Sequence, residues 1–212
     1  AFIKYSWYGN FAITPSVRSK GGVITLVSAN INIIEQFDID NEAQILRTEI
    51  LDNSESLTVI IVNLHSPCAH DHAKISFFKK IKEQINDLMT LHDNCEIIVM
   101  GDFNTTFSTH ERINTTRSKS EISISEKISD MYNDLNLKDC WDKNDLSMTW
   151  RHGDKMSRLD RIQWSNSINL IHTETKVDWC LTTSDHAAVV VTLKATQGKR
   201  KLTTITRIDT SF

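Results

Sequence analysis

Polar residues whose side chains could take part in a reaction stand where apolar stretches of this sequence end. The segment CEIIVMGDFNTTF, residues 95–107, is apolar in its first half and then presents Asp102 and Asn104, two positions apart. Asn63 and His65 close the apolar stretch LTVIIVNLH in the same way. Active-site groups tend to lie at such points, because a strand fixes their position while the following loop gives access.

Two further groups come later in the chain. Ser184, Asp185 and His186 precede the apolar run AAVVVTLK, and Asp160 lies inside SRLDRIQW, which reads as a strand. A carboxylate among apolar side chains is costly unless it is paired. Two neighbouring arginines and, from afar, His186 are the candidate partners of Asp160.

Together these side chains have the composition needed for metal-assisted hydrolysis of a phosphoester. Asp102 suits the positioning and deprotonation of a water, and Asn104 suits donation to a phosphate oxygen. Asp160 would fix the tautomer of His186. Asp185 and a second carboxylate would hold one Mg²⁺, which keeps its waters for the substrate phosphate.

Each group also has a simpler explanation when taken alone. Asp102 and Asn104 are common turn residues, as are Ser184 and Asp185. His186 would then be a core histidine with its hydrogen bonds satisfied. The functional interpretation therefore depends on all of these residues meeting in one place.

Composition predicts one globular domain without a general signal for nucleic acid. The chain has 212 residues, 40% hydrophobic and 24% charged, with a net charge of −3. Its basic clusters are more typical of a solvated face than of a binding patch. The four cysteines have no ligand spacing, which favours reduced thiols. Without a visible signal peptide or membrane span, we expect a soluble, intracellular protein.

The sequence pattern indicates that strands, with a few helices between them, position these residues. This arrangement predicts an α+β fold with mixed or antiparallel sheets. Apolar residues at helical spacing predict helices over 74–91 and, from a capping box of Ser123 and Glu126, over about 123–135. Gly153 suits a hairpin turn. The predicted strands are 21–28, 43–51, 57–65, 96–102, 168–177 and 186–194, besides those flanking the hairpin turn.

Four sequence blocks, in order, resemble the exonuclease/endonuclease/phosphatase superfamily: VNLHSP, GDFNT, SRLDRIQWS and TSDHAAV. Their spacing, and the hairpin MTWRHGDKMSRLDRI, is most similar to the endonuclease domain of LINE-type (non-LTR) retrotransposons. The resemblance covers residues 1–194, which we expect to be the domain, and leaves 195–212 as a basic polar extension or linker. It implies a four-layered α/β/β/α sandwich with two mixed, mostly antiparallel sheets.

The resemblance also implies roles for individual residues. Asp102 matches the family's water-activating aspartate, and Asn104 matches its phosphate-binding asparagine. Asp160 matches the carboxylate that orients the catalytic histidine, here His186. Asp185 matches a carboxylate on the metal side. Further contacts to substrate phosphate or DNA are expected from Asn63, Thr149, Ser184, His152 and Lys155.

Two departures from the family pattern bear on activity. His65 stands where many relatives carry tyrosine, so it would act as a general acid or bind the phosphate, with activity that depends on pH between about 6 and 7. The family's opening asparagine strand and its glutamate block have no match, so we expect the N-terminal strand and helix to be missing. The metal site would then bind weakly.

The resemblance implies a Mg²⁺- or Mn²⁺-dependent endonuclease that nicks one strand of double-stranded DNA and leaves a 3′-hydroxyl for reverse transcription. Its expected partners are DNA and a linked reverse transcriptase domain, in the nucleus, with the protein a monomer. Alternatives are an abasic-site or general deoxyribonuclease, and a catalytically disabled DNA-binding domain. A phosphatase is possible on fold alone.

Overall fold

The computed structural model describes residues 7–17, 21–52, 55–142, 144–167, 170–181, 183–195 and 205–207. Its helices are α1 (His72–Leu91), α2 (Lys119–Asp134) and a single 3₁₀ turn (Thr109–Glu111). Its strands are β1 (Asn10–Thr14), β2 (Val23–Val27), β3 (Ile31–Ile39), β4 (Ala43–Asp52), β5 (Glu55–His65), β6 (Glu96–Asp102), β7 (Arg112–Ile113), β8 (Leu137–Asp139), β9 (Trp150–His152), β10 (Lys155–Ser157), β11 (Asp160–Ser165), β12 (Leu170–Asp178), β13 (Ala188–Ala195) and β14 (Ile205–Arg207).

A six-stranded sheet forms the centre of the fold. Its strand order is β3-β4-β5-β6-β11-β8, and β5 with β6 is its parallel pair. The other neighbours in this sheet are antiparallel, including the predicted hairpin of β4 and β5. The parallel pair needs a long crossover, and α1 supplies it. The prediction of an α+β fold with mostly antiparallel strands is confirmed.

The central strands are buried on both faces, which explains their continuous β-branched runs. In β5, Ile60 and Val62 belong to the apolar cluster that includes α1 and α2. The alternating residues Val59 and Ile61 belong to a second cluster, with residues of β1, β2 and β13. Burial of each such side chain stabilises the fold by about 1.5–3 kcal/mol.

The described residues therefore form three layers. Helices α1 and α2 cover one face of the six-stranded sheet. The hairpin β1-β2 and the sheet β12-β13-β14 cover the other face. A helix outside that second strand layer is not among the described parts of the chain, so the fourth layer stays a prediction. No helix of the described ranges is long and apolar enough to cross a membrane.

Two local predictions were wrong. Helix α2 begins at Lys119, where Ser118 accepts from the amide of Glu121, so the cap is Ser118 and not Ser123. The helix extends further because Glu121 is buried and accepts hydrogen bonds from Thr106. Asp160 is the first residue of β11 rather than an interior strand residue.

Some elements lacked a clear sequence pattern. Strands β1, β3, β7 and β8 were not predicted; β3 lies at an edge of the central sheet, where one partner strand suffices. Ile205–Arg207 pairs with β13 within the predicted extension, while 196–204 and 208–212 lie outside the described residues. The predicted start of β12 at 168 also lies outside them. The four cysteines are free thiols.

Candidate active site

Strand register places three of the predicted residues in one row. His65 of β5 is opposite Asp102 of β6 in the parallel pair, and Asp160 of β11 is opposite Asp102 in the antiparallel pair. Because side chains alternate along a strand, Asp102 shares its sheet face with Met100. That residue packs in the cluster between the strand layers. The row therefore lies at the end of the interlayer core.

Gly101 allows β5 and β6 to approach closely just before this row. Its φ is +149°, and a Cβ atom there would lie 2.0 Å from the carbonyl oxygen of Leu64. An L-residue would meet both a strained backbone and a backbone clash. The glycine before Asp102 is thus a requirement of the strand pairing rather than of the chemistry itself.

Asp102 is the central residue of the site, at 1% exposure. Its Oδ1 accepts a hydrogen bond of 2.7 Å from the amide of Asn104. Its Oδ2 lies 3.8 Å from Nε2 of His65 and 3.9 Å from Nε2 of His186. These two distances exceed hydrogen-bond length but suit charge attraction when an imidazole is protonated. The carboxylate thus lies between two histidines.

Asp160 and His186 form the close pair that the burial of Asp160 demands. His186 Nδ1 and Asp160 Oδ2 are 2.8 Å apart, and both residues are buried. The amides of Leu159 and Asp160 both donate to Thr149 Oγ1 over 3.0 Å. The indole of Trp141 donates to the carbonyl of Asp160. Asp160 is therefore held through both its backbone and its side chain.

Strand β9 positions His186 from the other side. Trp150 and His186 form an isolated antiparallel bridge, and the amide of Ala187 donates to the carbonyl of Thr149 over 2.8 Å. Thr149 therefore holds the backbone of Asp160 through its hydroxyl and the residue after His186 through its carbonyl. The structure gives this predicted substrate-contact residue a fully buried supporting position, and its DNA contact stays a prediction.

Asn104 leaves the strand in an unusual backbone conformation. Its φ is +45°, a left-handed value that asparagine tolerates better than most residues. Its Nδ2 donates to the carbonyl of Ser66 over 2.8 Å, which brings the loop after β5 next to the loop after β6. The structure thus brings Asn104 to the same end of the sheet as His65 and Asp102.

Lys74 is a functional candidate that the sequence interpretation missed. Its side chain is fully buried, and its Nζ donates to the Phe103 carbonyl at 3.2 Å, and to the Asn104 carbonyl and Thr105 Oγ1 at 2.8 Å each. Burial lowers the pKa of Lys74 to about 8, although nearby Asp102 opposes that shift. Its position on the apolar stripe of α1 was the available sequence signal.

Asp185 and Ser184 lie beside the buried row rather than within it. Asp185 is exposed; its Oδ2 accepts from Trp150 Nε1 over 2.9 Å and its Oδ1 accepts from the hydroxyl of Ser184. Ser184 Oγ in turn accepts from the amide of His186 over 3.1 Å. These contacts connect the loop before β13 to the site and leave the Asp185 carboxylate accessible to solvent.

The remaining predicted contacts are spread around the site. Asn63 is buried, with its carboxamide donating to Ile24 O and Thr25 Oγ1 of β2, so it joins the two strand layers beneath the row. His152 and Lys155 are exposed and lie opposite each other in the hairpin β9–β10. The structure does not bring these three side chains together with the buried cluster.

One group among the described residues has the spacing of metal ligands: Asp102, Asp160 and His186 each offer an atom, all within 4.8 Å of one another. Two carboxylates suit a hard divalent cation that keeps several waters. Within this group, His186 Nδ1 and Asp160 Oδ2 are hydrogen-bonded to each other. Exposed Asp185 lies outside this group.

Several solved structures share this fold. The endonuclease domain of TRAS1, a telomere-specific non-LTR retrotransposon, is 16% identical, with a TM-score of 0.58 over 88% of this chain and 81% of that one. The Xenopus laevis APE2 catalytic domain is 16% identical, with a TM-score of 0.59 over 73% and 55%. Truncated Caenorhabditis elegans TDP2 is 16% identical, with a TM-score of 0.55 over 89% and 75%.

Sequence comparison gives a more specific assignment than fold similarity at this level of identity. No curated protein sequence shows significant similarity to the chain. The profile of the family described as endonuclease-reverse transcriptase matches residues 59–190, more than half of the chain and all of the buried cluster. The chain therefore belongs to the endonuclease-reverse transcriptase family, within the exonuclease/endonuclease/phosphatase fold.

Proposed function

We propose that this protein is a divalent-metal-dependent endonuclease that nicks one strand of duplex DNA for a non-LTR retrotransposon. The observation that carries the proposal is the row of His65, Asp102 and Asp160 across three strands, completed by His186. Membership of the family and the retrotransposon domain among its structural relatives support the same function.

The buried pair acts on the attacking water. Asp160 accepts the Nδ1 proton of His186, so the imidazole presents Nε2 towards Asp102. Asp102 positions a water and accepts its proton as the water oxygen bonds to phosphorus. When His186 is protonated, its imidazolium stabilises the negative charge of Asp102, because opposite charges attract strongly where water is scarce.

The leaving group departs on the His65 side. The bond between phosphorus and the 3′-oxygen breaks, and protonated His65 supplies the proton that this oxygen takes up. His65 suits this role because its ring is half exposed while Nε2 remains 3.8 Å from Asp102. Asn104 donates to a phosphate oxygen as charge develops. The products carry a 3′-hydroxyl and a 5′-phosphate.

A bound Mg²⁺ or Mn²⁺ would neutralise charge on the scissile phosphate. Asp185, on the exposed side of the site, would hold it together with waters, since oxygen ligands suit both ions. Asp185 is directed by Trp150 and Ser184 and remains open to solvent, which allows the ion to keep most of its waters.

The hairpin β9–β10 and the loop before β13 would contact the DNA backbone. His152 and Lys155 are exposed on the hairpin. Arg151 lies over the ring of Trp179 at 4.7 Å, which keeps a guanidinium near the same end of the fold. Phosphate contacts of this kind make binding depend on salt, and a nicking rate unchanged between about 0.05 and 0.3 M salt would contradict them.

The test is nicking of supercoiled plasmid with Mg²⁺, Mn²⁺ or chelator, for the wild type, Asp102→Ala and His186→Ala. We expect metal-dependent nicking that falls by about a thousandfold or more in both variants. Extension of the nick by a DNA polymerase would verify the 3′-hydroxyl. His172→Ala, which changes an exposed histidine of β12, is the matched control and should keep full activity.

Two other functions would be revealed by further assays of the same protein. An abasic-site nuclease would cleave a duplex with one abasic site far faster than an intact duplex. A disabled DNA-binding domain would shift DNA in a gel without nicking it under any metal. Equal cleavage of abasic and intact duplexes, with target preference in the intact one, supports the retrotransposon role.

A further inference from the structure

The buried ammonium of Lys74 is not used by the chemistry described above. Charged side chains are almost never fully buried unless they are paired, and burial of a lysine costs several kcal/mol. Lys74 lies on the first turn of α1, on the face that packs against the central sheet. Interactions of the Lys74 ammonium must offset this desolvation cost.

The three acceptors of Lys74 are consecutive in the chain. They are the carbonyls of Phe103 and Asn104 and the hydroxyl of Thr105, at 2.8–3.2 Å. An ammonium has three N–H donors and no acceptor, so three acceptors use it completely. All three belong to the segment that turns out of β6 with the left-handed residue Asn104.

We propose that Lys74 is a positioning residue for Asn104, an inference that rests on the proposed nuclease function. The ammonium gathers the two carbonyls on one side of the chain, which stabilises the positive φ of Asn104. The amide of Asn104 then reaches Asp102 Oδ1, and its Nδ2 reaches the carbonyl of Ser66. Lys74 thereby sets the angle between a catalytic carboxylate and a phosphate-binding carboxamide.

The same segment is held from its other end by helix α2. Glu121 accepts from both the amide and the hydroxyl of Thr106 and pairs with Arg112. Burial raises the pKa of Glu121, but the donors from Thr106 and Arg112 outweigh it, so the pKa is lowered and the carboxylate is charged. The loop is thus held between a buried cation on α1 and a buried anion on α2.

The test is a double-mutant cycle of Lys74→Met and Asn104→Ala, read as the nicking rate. Methionine keeps the length of the side chain and removes the donors. Misplacement of a catalytic group by about 1 Å costs about a hundredfold, so Lys74→Met should lower kcat by that factor with KM changed less than about threefold. In the Asn104→Ala background, Lys74→Met should lower kcat by less than about threefold.

Equal losses in both backgrounds would overturn the proposal, because a purely structural lysine does not act through Asn104. Thr48→Val is the matched control, since it removes another fully buried hydrogen bond, to Val59 O, in the middle of β4. Its activity should stay at the wild-type level. If Lys74→Met does not fold, Thr105→Val removes one acceptor and enters the same cycle.

A readout without activity separates this proposal from the proposed function. Amide exchange of Asn104, whose N–H donates to Asp102, should accelerate at least about tenfold in Lys74→Met and not in Thr48→Val. Faster exchange in Lys74→Met, together with a wild type that never nicks DNA, would overturn the nuclease and leave the positioning role intact. Unchanged exchange in an active enzyme would overturn the positioning role alone.

Discussion

Two adjoining regions of the molecule are built in opposite ways: the buried cluster of Asp102, Asp160 and His186, and the exposed hairpin β9–β10. They meet at the bridge between Trp150 and His186. The cluster residues are 1%, 2% and 8% exposed, and β6 and β11 hold its two carboxylates within the central sheet. The hairpin consists of two three-residue strands, and its tip from 151 to 155 is exposed throughout.

Their glycines show the same contrast. Gly101 and Gly153 both have positive φ, but a Cβ on Gly101 would meet the Leu64 carbonyl at 2.0 Å while one on Gly153 would meet nothing within 4 Å. The region proposed for chemistry has no room for a Cβ at Gly101, whereas the region proposed for DNA contact has open space at Gly153. A substrate-selective hydrolase needs a rigid catalytic centre beside an adaptable contact loop.

The largest effect is expected inside the cluster. Asp160→Asn keeps the shape of the side chain but lets the amide donate to His186, which disturbs the tautomer and removes the charge that stabilises an imidazolium. Nicking should fall by about 10³- to 10⁴-fold with little change in DNA binding. Asp40→Asn, which changes an exposed carboxylate paired with Lys80, is the control. A loss below about tenfold would mean that the pair is structural.

The second-largest effect is expected on stability, when alanine replaces each of the two glycines. Gly101→Ala should lower the free energy of unfolding by about 4 kcal/mol or more, because strain at positive φ adds to a backbone clash. Gly153→Ala should cost only about 1 kcal/mol, from φ alone. Urea unfolding measures both. Equal costs would show that β5 and β6 can separate, which contradicts a rigid row.

Lys74 makes stability depend on pH in a defined direction. Its folded-state pKa of about 8 is below the usual value of 10.5, so below pH 8 it is charged in both states and its burial cost is complete. Between about pH 8 and 10.5 the unfolded state binds more protons, so the free energy of unfolding rises with pH, by at most about 3 kcal/mol from this group.

Urea unfolding of the wild type and Lys74→Met at pH 7.5 and 10.5 would isolate that contribution, since the other groups titrate equally in both proteins. The difference between the two proteins should shift in favour of the wild type at the higher pH. The opposing charges near Lys74 are Asp71, Asp102, Glu121 and the thiol of Cys68. A difference independent of pH would show that they keep Lys74 charged throughout.

The smallest effect is expected at the hairpin. Lys155→Ala should weaken DNA binding by a few-fold, lower the slope of log affinity against log salt by about one, and leave stability within about 0.5 kcal/mol. Lys176→Ala, on exposed β12, should change neither quantity and serves as the control. An unchanged salt slope in Lys155→Ala would remove the hairpin from the DNA contact surface.

Much of the fold followed from local pattern. The alternation in β4, the β-branched run of β5 and the apolar stripe of α1 each report burial that the finished fold confirms. Helix α2 began earlier than predicted, because Ser118 caps it locally and buried Glu121 accepts hydrogen bonds from Thr106 in the loop after β6. Strand β3 lacked a sharp pattern because it forms the edge of its sheet.

By itself the sequence determined which residue types stand at strand ends, in which order, and that a buried Asp160 needs a partner. Tertiary structure alone decided that His65, Asp102 and Asp160 share one row, that Asp185 stays outside the cluster, and that Lys74 holds the Asn104 loop. The reason is physical: strand register and the packing of α1 on the sheet bring together residues tens of positions apart, and local periodicity carries no information on either.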